Sequence, residues 1–378
     1  MNSMENVALA LDTAVETKAP EKQRLYHFDL LRTVAIVAMI FCHVVISLGD
    51  HEEGFASHFG YFIGAVVLGE YLAVAHAFMF AMGVFICFSR KNSPGLLLLR
   101  GVIYYFLNFV LNFLRYGIST LVGAAIEGEF ASGAVEVFFT HDIFSFVGLA
   151  LCLTGVLKLL KLKEVHIAIV GVALSLIGSF CTNWIEVPLI EDFFISDFLR
   201  TTSIFSAFPL FNWYIFVALG LLFGSILKKV ENKDKLYKIL FFVTLPSFAL
   251  YLALTFVFGT FFLSKDHSYY GLSTGDALGL LSSDLLLLSV FYFLAKHMGE
   301  KALKPFVLLS ANTTSIYVIS WTIIGTLDVV LWYVLELIVP YWAIYLMGVG
   351  VLIASVFLSI LYKYVKAKVL KKKRKSVA

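Results

Sequence analysis

The first long apolar segment of the chain carries the residues whose types and spacing most directly suggest chemistry. Arg32 lies near its start, and His43 follows 11 residues later. Eleven residues are almost three helical turns, so both side chains share one helix face, with His43 about 16 Å further along the axis. Asp29 lies one turn before Arg32, close enough to pair with it. This face predicts a polar site with a cation at one end and an imidazole at the other, although a lone histidine on an apolar face is also typical of a satisfied core residue.

A second histidine, His76, occupies the next apolar segment, which is rich in alanine and glycine. Its expected depth is comparable with that of His43, so the two rings are predicted to lie near each other across a helix pair. Small neighbouring residues favour close helix packing. An interhelical hydrogen bond is the alternative role for His76.

The third and fourth apolar segments add further polar groups. Asn108, Asn112 and Arg115 are spaced by four and three residues and therefore share a helix face. Such a stripe either lines a cavity or joins helices by hydrogen bonds. Arg115 is the better candidate for an anion contact, and His141 and Asp142 open the fourth segment.

Two later segments also begin with or contain polar residues. Asp284 lies about two turns inside the eighth segment and needs a partner or water. The ninth segment opens with a polar run from Ser310 to Tyr317 that includes Asn312. This run is consistent with a polar cofactor site or with simple capping of a helix start.

The composition indicates which elements must position these residues. Of 378 residues, 60% are hydrophobic and 15% are charged, with a mean hydropathy of +0.89. Soluble domains are about 45–50% apolar and about 25% charged, so a soluble enzyme is disfavoured. The basic residues form no basic domain, which argues against nucleic acid as a partner. The four cysteines have no zinc or disulfide spacing and are interpreted as small buried hydrophobes.

Apolar stretches long enough to cross a bilayer as helices repeat along the whole chain. We predict an all-α polytopic membrane protein with about ten transmembrane helices. They are expected near residues 29–49, 66–88, 96–122, 142–160, 165–182, 212–228, 237–263, 277–295, 306–334 and 341–363.

The domain organisation follows from these spans. Residues 1–27 form a polar tail without a secretory signal, residues 28–365 form the membrane domain, and residues 366–378 form a basic tail. The long connection at 183–211 alternates aromatic and acidic residues. It is interpreted either as a lid or acceptor platform or as a solvated connector.

The distribution of charge predicts the orientation. Lysine and arginine concentrate in both tails and in alternate connections, and the other connections are acidic. Of the 29 basic residues, the ones outside this pattern are Arg115, Arg200 and Lys265. Basic connections stay in the cytoplasm, so both termini are predicted to be cytoplasmic and the number of spans to be even.

The first segment resembles the opening motif of membrane acyltransferases, the acyltransferase-3 family and its heparan-α-glucosaminide N-acetyltransferase-like relatives. That motif is an aspartate, an arginine three residues later, and a histidine 11 residues after the arginine, with Thr33 here in place of the usual glycine. Four further segments resemble the acetyltransferase-like branch, in the correct order: Phe78–Gly83, Asp142–Leu149, Phe208–Trp213 and Asn312–Tyr317.

The resemblance implies transfer of an acyl group, commonly acetyl, from cytoplasmic acyl-CoA to a hydroxyl or amine of an extracytoplasmic glycan. Acyl-CoA is then a co-substrate and no metal is expected. The residues expected to be catalytic are His43, His76 and Asp142. Those expected on the donor side are Arg32, Asp29, Asn312, Ser310 and Tyr317. Those expected to bind the acceptor are Arg115, His141, Trp213 and Asn112.

Other functions stay open at this point. Intramembrane histidine, aspartate and arginine also suit the proton relay of a transporter or flippase, although no repeat between the two halves is evident. A non-catalytic membrane sensor is a further alternative. The expected location is a bacterial cell membrane, the expected partners include membrane lipid, and small residues permit a homodimer.

Overall fold

The computed structural model describes residues 24–49, 59–72, 75–89, 92–128, 137–182, 188–200 and 206–377. Most of the polar N-terminal tail and parts of the 183–211 connection therefore lie outside the described residues. The ten long helices are α1 (Tyr26–Gly49), α2 (Ala75–Phe88), α3 (Pro94–Asn112), α4 (Ile143–Leu159), α5 (Glu164–Cys181), α6 (Leu210–Lys229), α7 (Lys233–Phe258), α8 (Thr274–His297), α9 (Glu300–Val329) and α10 (Tyr341–Val377).

These helices confirm the predicted all-α polytopic membrane fold. Nine helical segments within the described residues are long and apolar enough to cross a membrane. The apolar helix α4, with 17 residues, is slightly shorter than they are. Each of the ten predicted spans coincides with one of these segments.

The boundaries differ from prediction where the backbone departs from regular α-helix. The second span begins at Phe59 and passes through a π-helical stretch, Phe62–Tyr71, before α2. Helix α3 continues through a π-helical turn, Phe113–Gly117, into a further helix, Ile118–Glu127. Helix α10 runs on to Val377, so the predicted basic tail continues a helix as far as this residue. Its lysines favour helix, which explains the continuation.

Helix α1 lies at the centre of the bundle. It packs against α8, α9 and α10, and 61% of its most apolar stretch is buried, against 17% for α7. The outer helices present large apolar side chains outward, such as Phe242 and Phe256. This pattern is expected when lipid surrounds the bundle, since hydrocarbon solvates these side chains well. The polar face of α1 is therefore enclosed by other helices.

Helices α3 and α4 pack closely and form one side of this enclosure. At Gly148 of α4, an added Cβ would lie 2.7 Å from the carbonyl oxygen of Gly101 and 2.7 Å from the amide nitrogen of Tyr105. No side chain fits between these backbones. The glycine therefore fixes the separation of the two helices that flank the polar face of α1.

Candidate active site

Three cavities follow one another along the polar face of α1. The first, here called the Arg32 chamber, has a volume of about 470 Å³ and is lined by residues that include Arg32, Arg100 and Tyr104. The last, here called the His43 chamber, has a volume of about 360 Å³ and is lined by residues that include His43, Arg115 and Asp142. A narrow cavity of about 40 Å³, here called the throat, lies between them.

Shared walls connect the three cavities. Phe78, Phe144 and Thr314 line both the Arg32 chamber and the throat. Met39, Ile143 and Tyr317 line both the throat and the His43 chamber. The structure therefore places Arg32 and His43 at opposite ends of a row of three adjoining cavities.

The Arg32 chamber combines cations with an apolar wall. Arg32 and Arg100 supply two guanidinium groups, and Ser89 and Asn92 add polar atoms. The guanidinium carbon of Arg32 lies 5.1 Å from the centre of the Phe85 ring, which holds it by a cation–π contact. Such a chamber suits a ligand with an anionic head and a long, less polar arm.

Asp29 does not pair with Arg32, and that prediction is wrong. Its carboxylate instead accepts hydrogen bonds from Nε and Nη2 of Arg24 at 2.7 and 3.2 Å. Asp29 is buried and is not among the residues that line the Arg32 chamber. The spacing of Asp29 and Arg32 allows them to pair. Arg24, just before the helix, contacts the carboxylate of Asp29 instead.

The imidazole of His43 stacks on Trp321 of α9, with ring centres 4.2 Å apart and planes tilted by 34°. The edge of Tyr317 faces the same imidazole at 6.5 Å. The Nδ1 atom of His43 is buried and has no hydrogen-bond partner among the described residues. A buried polar atom without a partner is costly, which is typical of a site awaiting a ligand or a proton transfer.

An ion pair forms the floor of the His43 chamber. Nη1 of Arg115 lies 2.5 Å from Oδ2 of Asp142, and both residues are buried. The guanidinium lies between the rings of Tyr116 and Trp321, at 4.0 and 4.2 Å. Trp321 therefore contacts both Arg115 and His43, and it couples the position of the imidazole to the ion pair.

Local backbone geometry presents these two residues. Arg115 lies within the π-helical turn after α3, a feature often found at functional sites. Gly325 of α9 allows the backbone of Arg115 to approach, because an added Cβ would clash with its carbonyl oxygen. Asp142 is the N-cap of α4, and its side chain accepts a hydrogen bond from the amide of Ile143 at 2.7 Å.

The two asparagines of the polar stripe join segments and do not line the chambers. Asn112 donates from Nδ2 to the carbonyl oxygens of Phe138 and Thr140 at 2.8 and 2.6 Å. Asn108 donates to Thr140 and accepts from the amide of Asp142. Asn112 therefore supports the segment that carries Asp142, and its predicted role in acceptor binding is corrected to a supporting one.

His76 does not lie on these cavities. Its Nδ1 atom contacts Oδ1 of Asp284 at 2.8 Å, and its Nε2 atom contacts the carbonyl oxygen of Glu70 at 3.2 Å. Both His76 and Asp284 are fully buried. Asp284 therefore has the partner that its position inside a span required, and the hydrogen bond between α2 and α8 confirms the alternative role given for His76.

His141 is also turned away from the chamber. Its Nδ1 atom lies 3.0 Å from Oδ1 of Asp197, which also accepts a hydrogen bond from the hydroxyl of Tyr105. Burial lowers the pKa of His141 to about 4 and raises the pKa of Asp197 to about 7. The backbone of His141 bridges to Ser206, so this pair anchors the outer wall, contrary to its predicted contact with the acceptor.

Trp213, Ser310 and Asn312 line none of the three cavities. The indole of Trp213 donates to the carbonyl oxygen of Tyr270, which does line the His43 chamber. Asn312 donates to Leu308 within α9 at 2.6 Å, and Ser310 is fully buried. Their predicted roles in binding acceptor or donor stay predictions.

Several residues of the site did not emerge from the sequence alone. Helix α9 contributes Thr313, Thr314 and Trp321 beside the predicted Tyr317. Their spacing of three and four residues marks one helix face and could have identified them. Arg100 is missing from the predicted set, although its spacing of four from Tyr104 follows the same rule. The described residues contain no group of three or more His, Cys, Asp or Glu side chains that could hold a metal ion.

Comparison with known proteins assigns a family. Residues 24–253, from the start of α1 into α7, match the family described as heparan-alpha-glucosaminide N-acetyltransferase, catalytic. No curated protein and no solved structure shows significant similarity to the chain. The matched residues include Arg32, His43, Arg115 and Asp142. The chain therefore belongs to the heparan-alpha-glucosaminide N-acetyltransferase catalytic family and is a multi-pass membrane protein of acetyltransferase type.

Proposed function

We propose that the protein transfers an acetyl group from acetyl-CoA in the Arg32 chamber to an amine or hydroxyl of a glycan in the His43 chamber. The observation that carries this proposal is the row of adjoining cavities along α1, with guanidinium groups at one end and, at the other, an imidazole whose Nδ1 atom has no hydrogen-bond partner among the described residues. A transmembrane acetyltransferase needs such an arrangement, because its donor and acceptor arrive from opposite sides.

The Arg32 chamber supports the donor side of this proposal. Arg32 and Arg100 would bind the phosphates of acyl-CoA, since guanidinium groups form bidentate, charge-assisted hydrogen bonds with phosphate. The apolar wall formed by Phe78, Phe85 and Leu97 would contact the pantetheine arm. The thioester would then lie at the deep end of the chamber, against the throat.

The His43 chamber would supply the reacting group, by either of two routes. In direct transfer, the imidazole of His43 accepts the proton of the acceptor amine or hydroxyl while that atom bonds to the thioester carbon. In the other route, a ring nitrogen first bonds to that carbon. The acceptor then attacks the acyl-imidazole, the carbon–nitrogen bond breaks, and the freed ring nitrogen takes up the proton of the acceptor. In both routes the carbon–sulfur bond breaks, and the thiolate leaves toward the Arg32 chamber and takes up a proton there.

The outer walls suit a sugar. Tyr270 lines this chamber, and aromatic rings stack well on the apolar faces of a pyranose ring. Asp142 would accept a hydrogen bond from an acceptor hydroxyl or ammonium group, and Arg115 would keep this carboxylate ionised and in place. Both features belong to the chamber that contains His43.

The orientation proposed for the chain puts both termini and the Arg32 chamber in the cytoplasm, where acyl-CoA is made. The charge pattern of the connections supports it, because lysine and arginine concentrate on the side from which Arg32 is reached. An anionic donor would also concentrate near such a surface.

Reconstitution into sealed vesicles tests the proposal. Methyl α-glucosaminide is enclosed in the vesicles, and acetyl-CoA is added outside. We expect thiol release outside and acetylated sugar inside, because CoA does not cross the bilayer. Vesicles without protein, and vesicles with protein but no enclosed sugar, are the controls.

Two outcomes would contradict the proposal. Absence of thiol release and of acetylated sugar would exclude acetyl transfer to this acceptor class from acyl-CoA. Movement of unmodified sugar across the vesicle membrane, without thiol release, would instead support the transporter alternative.

A further inference from the structure

The throat is the narrowest part of the series of cavities and has walls from four helices. Ala35 and Met39 of α1 face Phe144 of α4, with Phe78 of α2 and Tyr317 of α9 alongside. Met39, Phe144 and Tyr317 are each less than a tenth exposed. Phe144 is held by two aromatic contacts, to Tyr104 at 5.7 Å and to Tyr317 at 5.1 Å, so it is a rigid wall.

The position of the throat along α1 places it where bond exchange must occur. Met39 lies one turn before His43, about 6 Å along the helix axis, and about 10 Å beyond Arg32. If the proposed function holds, the CoA sulfur is bonded to the acyl carbon on the Arg32 side. The attacking atom then approaches the same carbon from the His43 side. The carbon that is exchanged between them must then lie at the depth of Met39.

The size of the throat limits what can lie there. Measured in the same way, its volume of about 40 Å³ is far below the 470 and 360 Å³ of the chambers on either side, so the throat favours a short acyl group such as acetyl. A longer chain would extend into the His43 chamber, where the acceptor must bind, or would have to displace well-packed walls.

We propose that the throat is the acyl-binding position of this protein, and that Met39 and Phe144 determine the length of the acyl group it transfers. This inference rests on the proposed function and deepens it. It assigns selectivity for a two-carbon acyl group to two apolar side chains, of which Phe144 also lines the Arg32 chamber and Met39 also lines the His43 chamber.

The test compares acetyl-, propionyl-, butyryl- and hexanoyl-CoA as donors for the purified full-length chain, with methyl α-glucosaminide as acceptor. For the unaltered protein, we expect kcat/KM to fall by about ten-fold or more for each step beyond acetyl. In Phe144→Ala and Met39→Ala, the ratio of butyryl to acetyl transfer should rise by about ten-fold.

Matched controls separate the throat from general loosening of the core. Phe146 lies two residues further along α4, is 1% exposed and does not line the cavities, so Phe146→Ala removes the same side chain elsewhere. Met79→Ala serves in the same way for Met39→Ala, since Met79 is fully buried in α2. Both controls should keep the donor preference of the unaltered protein.

A complementary variant reduces the space. Ala35→Val adds two methyl groups to the throat. We expect it to lower acetyl transfer while leaving the affinity for free CoA, which has no acyl group, unchanged. This readout does not depend on whether Phe144→Ala folds.

The outcomes distinguish this inference from the proposed function. Equal use of acetyl- and butyryl-CoA by the unaltered protein, or an unchanged donor ratio in both widened variants, would overturn the assignment of the throat while acetyl transfer stands. Failure of the unaltered protein to release thiol from any of the four donors would overturn the proposed function, and this inference with it.

Discussion

Two histidines inside the helix bundle, His43 and His76, have opposite surroundings. His76 contacts a carboxylate with one ring nitrogen and a backbone carbonyl with the other. His43 stacks on an indole, lines a chamber of about 360 Å³, and has a buried nitrogen without a hydrogen-bond partner among the described residues. The first arrangement satisfies the ring and the second leaves it available.

The difference shows how a membrane bundle separates structure from chemistry. A polar group in a low-dielectric interior is costly unless it is hydrogen-bonded, so a fully paired histidine stabilises one helix arrangement. The unpaired nitrogen of His43 brings no such gain. It is accommodated because the helices around it enclose a cavity in which a substrate can supply the missing partner.

The largest expected effect on activity comes from removing the imidazole of His43. In His43→Ala, we expect acetyl transfer to fall by about 10²- to 10⁴-fold, because a positioned acid–base group contributes this much. The measurement is thiol release from acetyl-CoA in the presence of methyl α-glucosaminide. His166→Ala, which alters an exposed histidine of α5, should retain the full rate. Retention of the rate in His43→Ala would contradict the role of His43.

The next largest effect is a loss of stability, and it comes from breaking the pair of His76 and Asp284. In Asp284→Ala, His76 loses its carboxylate partner while buried, and we expect a loss of about 3–5 kcal/mol in the free energy of unfolding. Thermal unfolding in detergent measures it. Asp234→Ala, which breaks an exposed ion pair with Lys296, should change the unfolding temperature little. If Asp284→Ala left stability intact but abolished transfer by the folded protein, the distinction between the two histidines would fail.

A smaller effect is expected at the far end of the cavities. Arg32→Gln removes a charged contact to the donor, so we expect KM for acetyl-CoA to rise about ten-fold with little change in kcat. Steady-state kinetics at varied acetyl-CoA measure both constants. Lys301→Gln, which removes an exposed cation from the start of α9, is the control. A fall in kcat at constant KM would place Arg32 with the reacting groups.

The smallest effect concerns His141 and Asp197, a second buried histidine beside a carboxylate, with Nδ1 and Oδ1 3.0 Å apart. Burial raises the pKa of Asp197 to about 7, so the folded protein holds a proton that the unfolded chain releases near pH 4. The contribution of Asp197 to stability therefore declines as the pH rises from about 4 through about 7. Asp197→Asn removes this decline.

The measurement is the unfolding temperature of the unaltered protein and of Asp197→Asn across this pH range. We expect Asp197→Asn to gain a few degrees relative to the unaltered protein between pH 5 and pH 8. His141 carries the opposite pH dependence in both proteins, because burial lowers its pKa to about 4, and it cancels in the comparison. A constant difference across the range would show that Asp197 is already ionised at pH 5.

The predictions that succeeded depend on local sequence. Hydropathy identified all ten apolar helices, because a helix that crosses lipid must be apolar over most of its length. Helical spacing placed Arg32 and His43 on one face, and both line the same series of cavities. The boundaries were less accurate where π-helical turns intervene, as at Phe113–Gly117, since they leave no distinct pattern in the sequence.

The sequence was least informative about partners. Asp29 lies near Arg32 in sequence, yet Arg24 takes its carboxylate. His76, His141, Trp213, Ser310 and Asn312 were all reasonable candidates by residue type, and none of them lines the cavities. Residue type shows that a polar group needs a partner, but it does not show which helix supplies that partner.

The amino-acid sequence by itself determined that this protein is a bundle of membrane helices, and it determined which face of the first helix is polar, because both follow from hydropathy and from the 3.6-residue repeat. Only the tertiary structure decided that both ring nitrogens of His76 have partners and that Nδ1 of His43 has none among the described residues. The partner of His76 lies 208 residues away, and the hydroxyl of Tyr317 reaches Asp142 across 175 residues. Packing of distant helices, with backbones brought close at Gly148 and Gly325, creates both the hydrogen bonds and the cavities.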